Sequence, residues 1–128
     1  MRYKFVLRKN KEDRENGMVV AVDFDGTITK DYVFPTNIGV LRDGCKEAID
    51  YIIKKHKVVI WTCRSGKYLD EAVKFLQDNG IYYDGINTDI YNKTDRKIMA
   101  DIYIDDKNIF CEGVDWFKIK QYFENIDR

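Results

Sequence analysis

Two aspartates separated by a single residue follow a short apolar run, in the segment Asp23-Phe24-Asp25-Gly26-Thr27. Carboxylates at this spacing can bind a divalent cation, attack an electrophile or transfer protons. At background residue frequencies, a D-x-D-G-T string should occur by chance in about one protein in a thousand of this length. An acidic turn that uses Gly26 for a positive φ is therefore the weaker explanation, and we interpret the segment as chemically active.

A hydroxyl and a guanidinium follow a second apolar run. Thr62 comes directly after the segment 58–61 and is followed by Arg64 and a turn that contains Gly66. A turn of this composition in front of a helix can bind phosphate through its backbone amides and the guanidinium. Without the aspartate pair upstream, an ordinary turn at the end of a strand would explain these residues equally well.

A third group combines a lysine with a late acidic pair. Asp105 and Asp106 follow another short apolar segment, and Lys97 precedes it. Lysines are usually solvated surface residues, and Lys93 is a rival for the same role. Asp101 lies at the opposite end of the segment from the acidic pair, so we expect it to be structural.

Strands and helices alternate along the sequence. Short apolar runs rich in β-branched residues predict buried parallel strands, and apolar residues at helical spacing predict helices. The predicted strands are 18–22, 57–62 and 102–104, with a shorter one within 81–87, and the predicted helices are 45–56, 69–76 ended by Gly80, and one capped by Asp115. The alternation predicts an α/β protein with a mostly parallel, Rossmann-like sheet in a three-layer α/β/α domain. Ligands of such folds bind at the carboxyl ends of the strands.

The length of 128 residues predicts one domain. Within it we expect an N-terminal edge strand and turn over 1–17, a catalytic core over 18–110 and a terminal helix over 111–128. The edge strand is predicted from the alternation of apolar and charged residues in 2–8. A hydrophobic content of 45% is ample for a packed core and excludes global disorder.

The charge and the cysteine content limit which classes of binding partner and which cellular compartment the sequence fits. Lys plus Arg and Asp plus Glu both number 22, so the protein has no overall field that would attract nucleic acid or a membrane. No apolar run reaches the roughly 20 residues that span a bilayer, and the N-terminal residues lack the apolar stretch of a secretory signal. The three cysteines have no C-x-x-C spacing. We therefore expect a cytoplasmic protein with reduced thiols.

Four motifs occur in a characteristic order: DFDGT, Thr62 at a strand end, Lys97, and the pair Asp105-Asp106. In this combination the sequence resembles the haloacid dehalogenase superfamily of phosphohydrolases, over residues 19–108. It is similar to small members of that superfamily with sequences such as AVDFDGT, WTCRSG and ADIYIDD. The resemblance implies a phosphatase with the Rossmann-like fold of that superfamily.

Three carboxylates that converge at strand ends repel one another unless a cation lies among them. Ligands that are all oxygen, together with a phosphate substrate, favour Mg²⁺. The resemblance implies that the ligands are the Asp23 carboxylate, the Asp25 backbone carbonyl and one of Asp105 or Asp106, with Asp105 preferred.

The resemblance also implies a mechanism through a covalent aspartyl-phosphate. Asp23 would attack phosphorus, and Asp25 would protonate the leaving alcohol and later deprotonate a water molecule. We expect the Asp25 side chain to be free for this task, because only its carbonyl would hold the metal. Thr62 would donate a hydrogen bond to the transferring phosphoryl group, and Lys97 would supply positive charge beside it.

Four further residues are expected to line the phosphate site: Gly26, Thr27, Cys63 and Arg64. Cys63 directly precedes Arg64, whereas cysteine phosphatases need five residues between the two. We therefore expect Cys63 to be a packed thiol rather than a nucleophile.

The segment 28–43 is too short for a separate lid domain, so the expected enzyme has no cap. Its loop 30–37 could form a partial wall over the site or an ordinary surface turn. An open site would accept a bulky substrate, or a second copy of the chain in a homo-oligomer would supply a lid. The expected substrate is a small phosphorylated metabolite, such as a sugar phosphate or a nucleotide.

Two alternative functions remain open from the sequence. A phosphatase acting on nucleic-acid ends is disfavoured by the neutral charge, since only residues 1–15 are net basic. A non-catalytic phosphate-binding domain could keep this fold, although every residue that the chemistry needs is present.

Overall fold

The computed structural model describes residues 17–88, 99–108 and 113–127. Along the chain the strands are β1 (Val19–Asp23), β2 (Thr29–Lys30), β3 (Val40–Leu41), β4 (Lys57–Trp61), β5 (Gly85–Ile86) and β6 (Ile102–Ile104). The helices are α1 (Cys45–Lys55), α2 (Gly66–Asp78) and α3 (Trp116–Ile126).

A parallel sheet with the strand order β5-β4-β1-β6 forms the centre of the protein. The central strand β1 pairs with β4 and β6, which brings Val20 opposite both Val58 and Ile102. At the start of β6, the Asp101 carboxylate accepts a hydrogen bond of 2.8 Å from the Val19 amide. These observations confirm the predicted α/β class, and Asp101 has the structural contact expected of it.

The central strands are buried on both faces, which explains why their sequences are continuously apolar. One face joins the main hydrophobic core, which includes Val20, Val22, Val58 and Ile60 from the sheet, Ala48, Ile49 and Ile52 from α1, Leu76 from α2 and Phe123 from α3. Val19, Ala21 and Val59 alternate with these residues and are also buried. Burial of this kind contributes roughly 25 cal/mol per Å² of apolar surface and makes the sheet a rigid base for the residues at its edge.

The helices begin and end close to the predicted positions. Helix α1 ends at Lys55, and His56 is its C-terminal cap. Helix α3 begins after Asp115, whose carboxylate accepts hydrogen bonds from the amides of Phe117 (3.0 Å) and Lys118 (3.2 Å). The predicted N-terminal cap is thus confirmed.

The segment between β1 and α1 forms a small antiparallel hairpin. Its strands β2 and β3 pair Thr29 with Leu41, and a further bridge joins Val33 to Asn37. The loop 30–37, for which the sequence allows a partial wall or a surface turn, lies within this hairpin segment.

Several predicted features lie outside the described residues: the N-terminal edge strand, Lys93, Lys97 and Cys111. Among the helices of the described part, none has the length and apolar character needed to cross a membrane.

Candidate active site

The strand order changes direction beside β1. From β1 the chain moves outward through β4 to β5 and then returns to β6 on the other side of β1. Open α/β sheets bind ligands at such a switch point, outside the carboxyl ends of the strands. Asp23 is the last residue of β1, and Asp105 and Asp106 follow β6 directly. The topology therefore brings three predicted metal ligands to one place.

Carboxylate oxygens of Asp23, Asp105 and Asp106 lie within 4.8 Å of one another. Burial, followed by the negative charge of Asp105 and then that of Asp106, raises the pKa of Asp23 to about 7. The Thr27 hydroxyl donates a hydrogen bond of 3.1 Å to Asp23 and partly offsets this rise. The cluster thus concentrates negative charge that a cation would neutralise.

The surroundings of Asp106 fit a small cation. Within the described parts of the chain, its Oδ1 atom is buried and has no hydrogen-bond partner. A buried acceptor without a partner is costly, and a bound cation would satisfy it. One oxygen of Asp105, in contrast, accepts a hydrogen bond of 3.0 Å from the Lys107 amide.

Gly26 makes room for Asp106 in this cluster. Its φ is +85°, and a Cβ atom at this position would overlap the Asp106 carboxylate. The glycine of the DFDGT motif is therefore required both for its backbone conformation and for the close approach of the acidic pair.

Two distant side chains hold the loop that follows Asp23. The Trp116 indole donates a hydrogen bond of 2.8 Å to the carbonyl of Thr27, and Arg42 Nε donates one of 2.9 Å to the carbonyl of Gly26. Sequence analysis missed both residues, because a side chain that supports a distant backbone carbonyl leaves no local pattern. Their contacts fix the loop that carries Asp25 and follows Asp23 directly.

Asp25 lies in a different environment from Asp23. Arg64 binds its carboxylate with a two-pronged ion pair, in which Nε to Oδ2 and Nη2 to Oδ1 are both 2.8 Å. The side chain of Arg64 is 3% exposed and that of Asp25 is 21% exposed. The sequence analysis did not predict this ion pair, which forms because the loop after Thr62 brings a guanidinium beside Asp25.

Two aromatic rings lie close to this guanidinium. The ring centroids of Phe24 and Phe34 lie 5.5 Å and 5.0 Å from Arg64 Cζ, and the ring of Phe34 is 5.1 Å from that of Tyr68. Phe34 belongs to the hairpin segment 30–37. This segment therefore packs against the predicted site as a wall beside Arg64 rather than projecting as an isolated surface turn.

Thr62 follows β4, whose last residue lies opposite Asp23 in the sheet. Its hydroxyl accepts a hydrogen bond of 3.1 Å from the Arg64 amide, and its own amide donates one of 2.9 Å to Asn87 Oδ1. Asn87 adopts a positive φ of 53°, a conformation that asparagine tolerates better than most residues. Asn87 supports Thr62, and the sequence analysis missed it. An asparagine at the end of a short strand is only a weak indication of a residue with positive φ.

The structure gathers the predicted residues into two adjacent groups. Asp23, Thr27, Asp105 and Asp106 form the acidic group, and Asp25, Thr62 and Arg64 form the group beside it. Cys63 is an exposed free thiol between Thr62 and Arg64, rather than the packed thiol expected from the sequence, because its loop lies at the surface.

Comparisons with known proteins identify one relative. No model of a known protein family matches the chain, and no curated protein matches it. Among solved structures, the chain is similar to a conserved protein from Bacteroides thetaiotaomicron, with 32% sequence identity and a TM-score of 0.74. The match covers 86% of this chain and 92% of the other. The chain therefore belongs to the same family as this conserved protein of Bacteroides thetaiotaomicron.

Proposed function

We propose that the protein is a Mg²⁺-dependent phosphomonoesterase that works through an aspartyl-phosphate on Asp23. The observation that carries the proposal is the convergence of three carboxylates within 4.8 Å at the switch point of a parallel sheet. The resemblance to the haloacid dehalogenase superfamily supports the same reaction, because its motifs supply each of these carboxylates.

The cation would be held by the carboxylates of Asp23 and Asp106 and by the backbone carbonyl of Asp25. Asp106 is the stronger of the two late candidates, because its buried Oδ1 has no partner among the described residues. When bound, Mg²⁺ supplies positive charge that offsets the charge of the phosphoryl oxygens and of the carboxylates.

In the first step a carboxylate oxygen of Asp23 forms a bond to phosphorus while the bond from phosphorus to the ester oxygen breaks. Asp25 gives a proton to the departing oxygen, so the product leaves as an alcohol. In the second step Asp25 takes a proton from water, and this water attacks phosphorus. Inorganic phosphate leaves, and the Asp23 carboxylate is restored.

Thr62 and Lys97 complete the proposed machinery. The Thr62 hydroxyl accepts from the Arg64 amide and retains its own proton, which it can donate to a phosphoryl oxygen. Lys97 would add positive charge, as the family resemblance implies. Both contributions stabilise charge that spreads over the phosphoryl oxygens in the transition state.

The proposed substrate is a small phosphorylated metabolite. A net charge of zero gives no overall field that would guide a polyanion to the site. We also propose a cytoplasmic location, because Cys45 and Cys63 are both free thiols.

The test is hydrolysis of p-nitrophenyl phosphate by the full chain, with Mg²⁺ and with EDTA. We expect turnover only with the metal, and a loss of at least about 10⁴-fold in Asp23→Asn. Asp70→Asn is the matched control, because Asp70 is an exposed carboxylate on α2 and should keep full activity. Mg²⁺-independent turnover, or full turnover by Asp23→Asn, would overturn the proposal.

A further inference from the structure

Among the described residues beside the proposed site, Arg64 has the most enclosed charged side chain. Its side chain is 3% exposed, and the rings of Phe24 and Phe34 lie within 5.5 Å and 5.0 Å of its Cζ atom. Burying a guanidinium is costly unless its donors are satisfied. The protein therefore holds this guanidinium in one position at a cost in desolvation, and a functional role would explain why.

The donors of Arg64 are directed toward the protein. Nε and Nη2 each donate to Asp25 at 2.8 Å, and Nη1 donates to the Tyr68 carbonyl at 3.4 Å and lies 3.9 Å from Glu71. These hydrogen bonds use three of the five N–H donors of the guanidinium, and with a side chain that is only 3% exposed the group offers little surface to a phosphoryl group. This arrangement differs from the phosphate-binding role expected from the sequence.

Resting on the proposed function, we propose that Arg64 is a positioning residue that acts through Asp25 and does not touch the substrate. A two-pronged ion pair fixes both the place and the plane of a carboxylate. Each carboxylate oxygen has two lone pairs, so one on each remains after Arg64 has bound. Asp25 is 21% exposed and can use these remaining positions for proton transfer.

The hairpin completes this support. The ring of Phe34 lies 5.0 Å from Arg64 Cζ and packs against Tyr68, so the wall beside the site also restrains Arg64. An acid or base held in a single orientation needs less reorganisation in the transition state. Arg64 and the ring of Phe34 thereby determine where the carboxylate of Asp25 lies.

The leaving group of the substrate distinguishes positioning from binding. The phenolate of p-nitrophenyl phosphate leaves readily without a proton, whereas the alkoxide of benzyl phosphate requires one. Hydrolysis of the aspartyl-phosphate is the same for both substrates, so the comparison uses kcat/KM, which reports the first step alone. We expect Arg64→Met and Arg64→Lys to lower kcat/KM for benzyl phosphate by about 10²-fold and kcat/KM for p-nitrophenyl phosphate by less than about tenfold. KM for both substrates, and inhibition by inorganic phosphate, should change less than about threefold.

A double-mutant cycle provides the stricter form of the test. Arg64→Met in an Asp25→Asn background should produce no further loss on benzyl phosphate, because the residue acts through Asp25. Lys67→Met is the matched control, since it removes a neighbouring exposed cation and should leave both rates unchanged. Thermal melting of each variant identifies any loss that comes from unfolding.

Three results would overturn the proposal. The first is an equal rise in KM for both substrates with kcat unchanged, which would assign Arg64 to phosphate binding. The second is an Arg64→Met effect that is equally large in the Asp25→Asn background. The third is a wild-type protein that hydrolyses neither substrate, which would remove the proposed function together with this inference, whereas the first two leave that function standing.

Discussion

Asp23 at the end of β1 and Asp25 in the loop that follows are two residues apart and lie in opposite electrostatic environments. Asp23 faces two other carboxylates, and its pKa is raised to about 7 by burial and by their charge. Asp25 faces a guanidinium that binds both of its oxygens at 2.8 Å. Like charge surrounds the first carboxylate, and opposite charge surrounds the second.

This difference indicates that the two aspartates of the DFDGT segment have different roles. Two carboxylates that take different roles in one active site usually lie in different environments, which give them different tendencies to hold a proton. A carboxylate among like charges is ready to bind a cation, and one held by an arginine is fixed in orientation. We propose that the acidic group, once it holds a cation, provides the bond to phosphorus, and that Arg64 holds Asp25 in the orientation that its proposed proton transfer needs.

The largest expected effect separates the two aspartates by kinetics. Asp23→Asn should abolish turnover of p-nitrophenyl phosphate, whereas Asp25→Asn should lower it by about 10²- to 10⁴-fold. Because Asp25 also activates the water in the second step, the Asp25→Asn variant should show a burst of p-nitrophenol in rapid-mixing experiments. Equal kinetics without a burst in both variants would contradict the separate roles.

The second prediction concerns the space beside Asp106. Gly26→Ala should weaken Mg²⁺ affinity by at least about tenfold and destabilise the fold by about 1–3 kcal/mol, because a Cβ atom would displace the Asp106 carboxylate. Mg²⁺ titration calorimetry and thermal melting measure the two effects.

Gly80→Ala is the control for this prediction. Gly80 also has a positive φ, of +68°, but its nearest neighbour is the flexible side chain of Lys46. It should be destabilised by about 1 kcal/mol through its backbone conformation alone, with unchanged Mg²⁺ affinity. An equal loss of affinity in both variants would refute the role assigned to the Gly26 contact.

The third prediction follows from the raised pKa of Asp23. Between the pKa of the unfolded chain, near 3.8, and that of the folded protein, about 7, the folded state binds the additional proton. The stability of the metal-free protein should therefore fall as pH rises through this range. Asp23→Asn should remove this dependence and stabilise the metal-free protein at pH 8 by on the order of 1–2 kcal/mol, after allowance for solvent screening.

Denaturant unfolding in EDTA at several pH values measures this effect. Asp25→Asn serves as the comparison, because it breaks the ion pair with Arg64 and should destabilise the protein at the same pH. Opposite signs for the two variants would sharpen the contrast between the aspartates. Destabilisation by Asp23→Asn at pH 8 would count against it.

The smallest expected effect tests the hairpin wall. Phe34→Leu keeps an apolar side chain but removes the ring beside Arg64, which should lower kcat/KM for benzyl phosphate by about two- to fivefold. Val33→Ala changes a neighbouring residue that is 60% exposed and should have no effect. Equal losses in the two variants would mean that the hairpin acts without the ring.

The sequence was sufficient to predict the sheet and the place of its acidic residues. Continuous apolar strands followed by Asp23 and by Asp105-Asp106 predict their meeting, because parallel strands align their carboxyl ends. The ion pair of Arg64 with Asp25 joins residues that are 39 positions apart. Such a contact depends on the detailed path of two loops, which no periodic pattern encodes.

The supporting contacts were harder still to predict. Trp116 donates to a carbonyl 89 positions away, and Asn87 accepts from the Thr62 amide 25 positions away. The indole resembles any other apolar residue of an amphipathic helix, and the asparagine resembles any other turn residue. Their roles arise only from the packing of α3 and β5 beside the site.

The most direct test of the central claim is to locate the covalent phosphoryl group. Asp25→Asn mixed with p-nitrophenyl phosphate and Mg²⁺, quenched in acid and digested, should yield a peptide phosphorylated on Asp23 by mass spectrometry. The same treatment of Asp23→Asn should yield none. A phosphoryl group on another residue, or none in Asp25→Asn despite measurable turnover, would contradict the account.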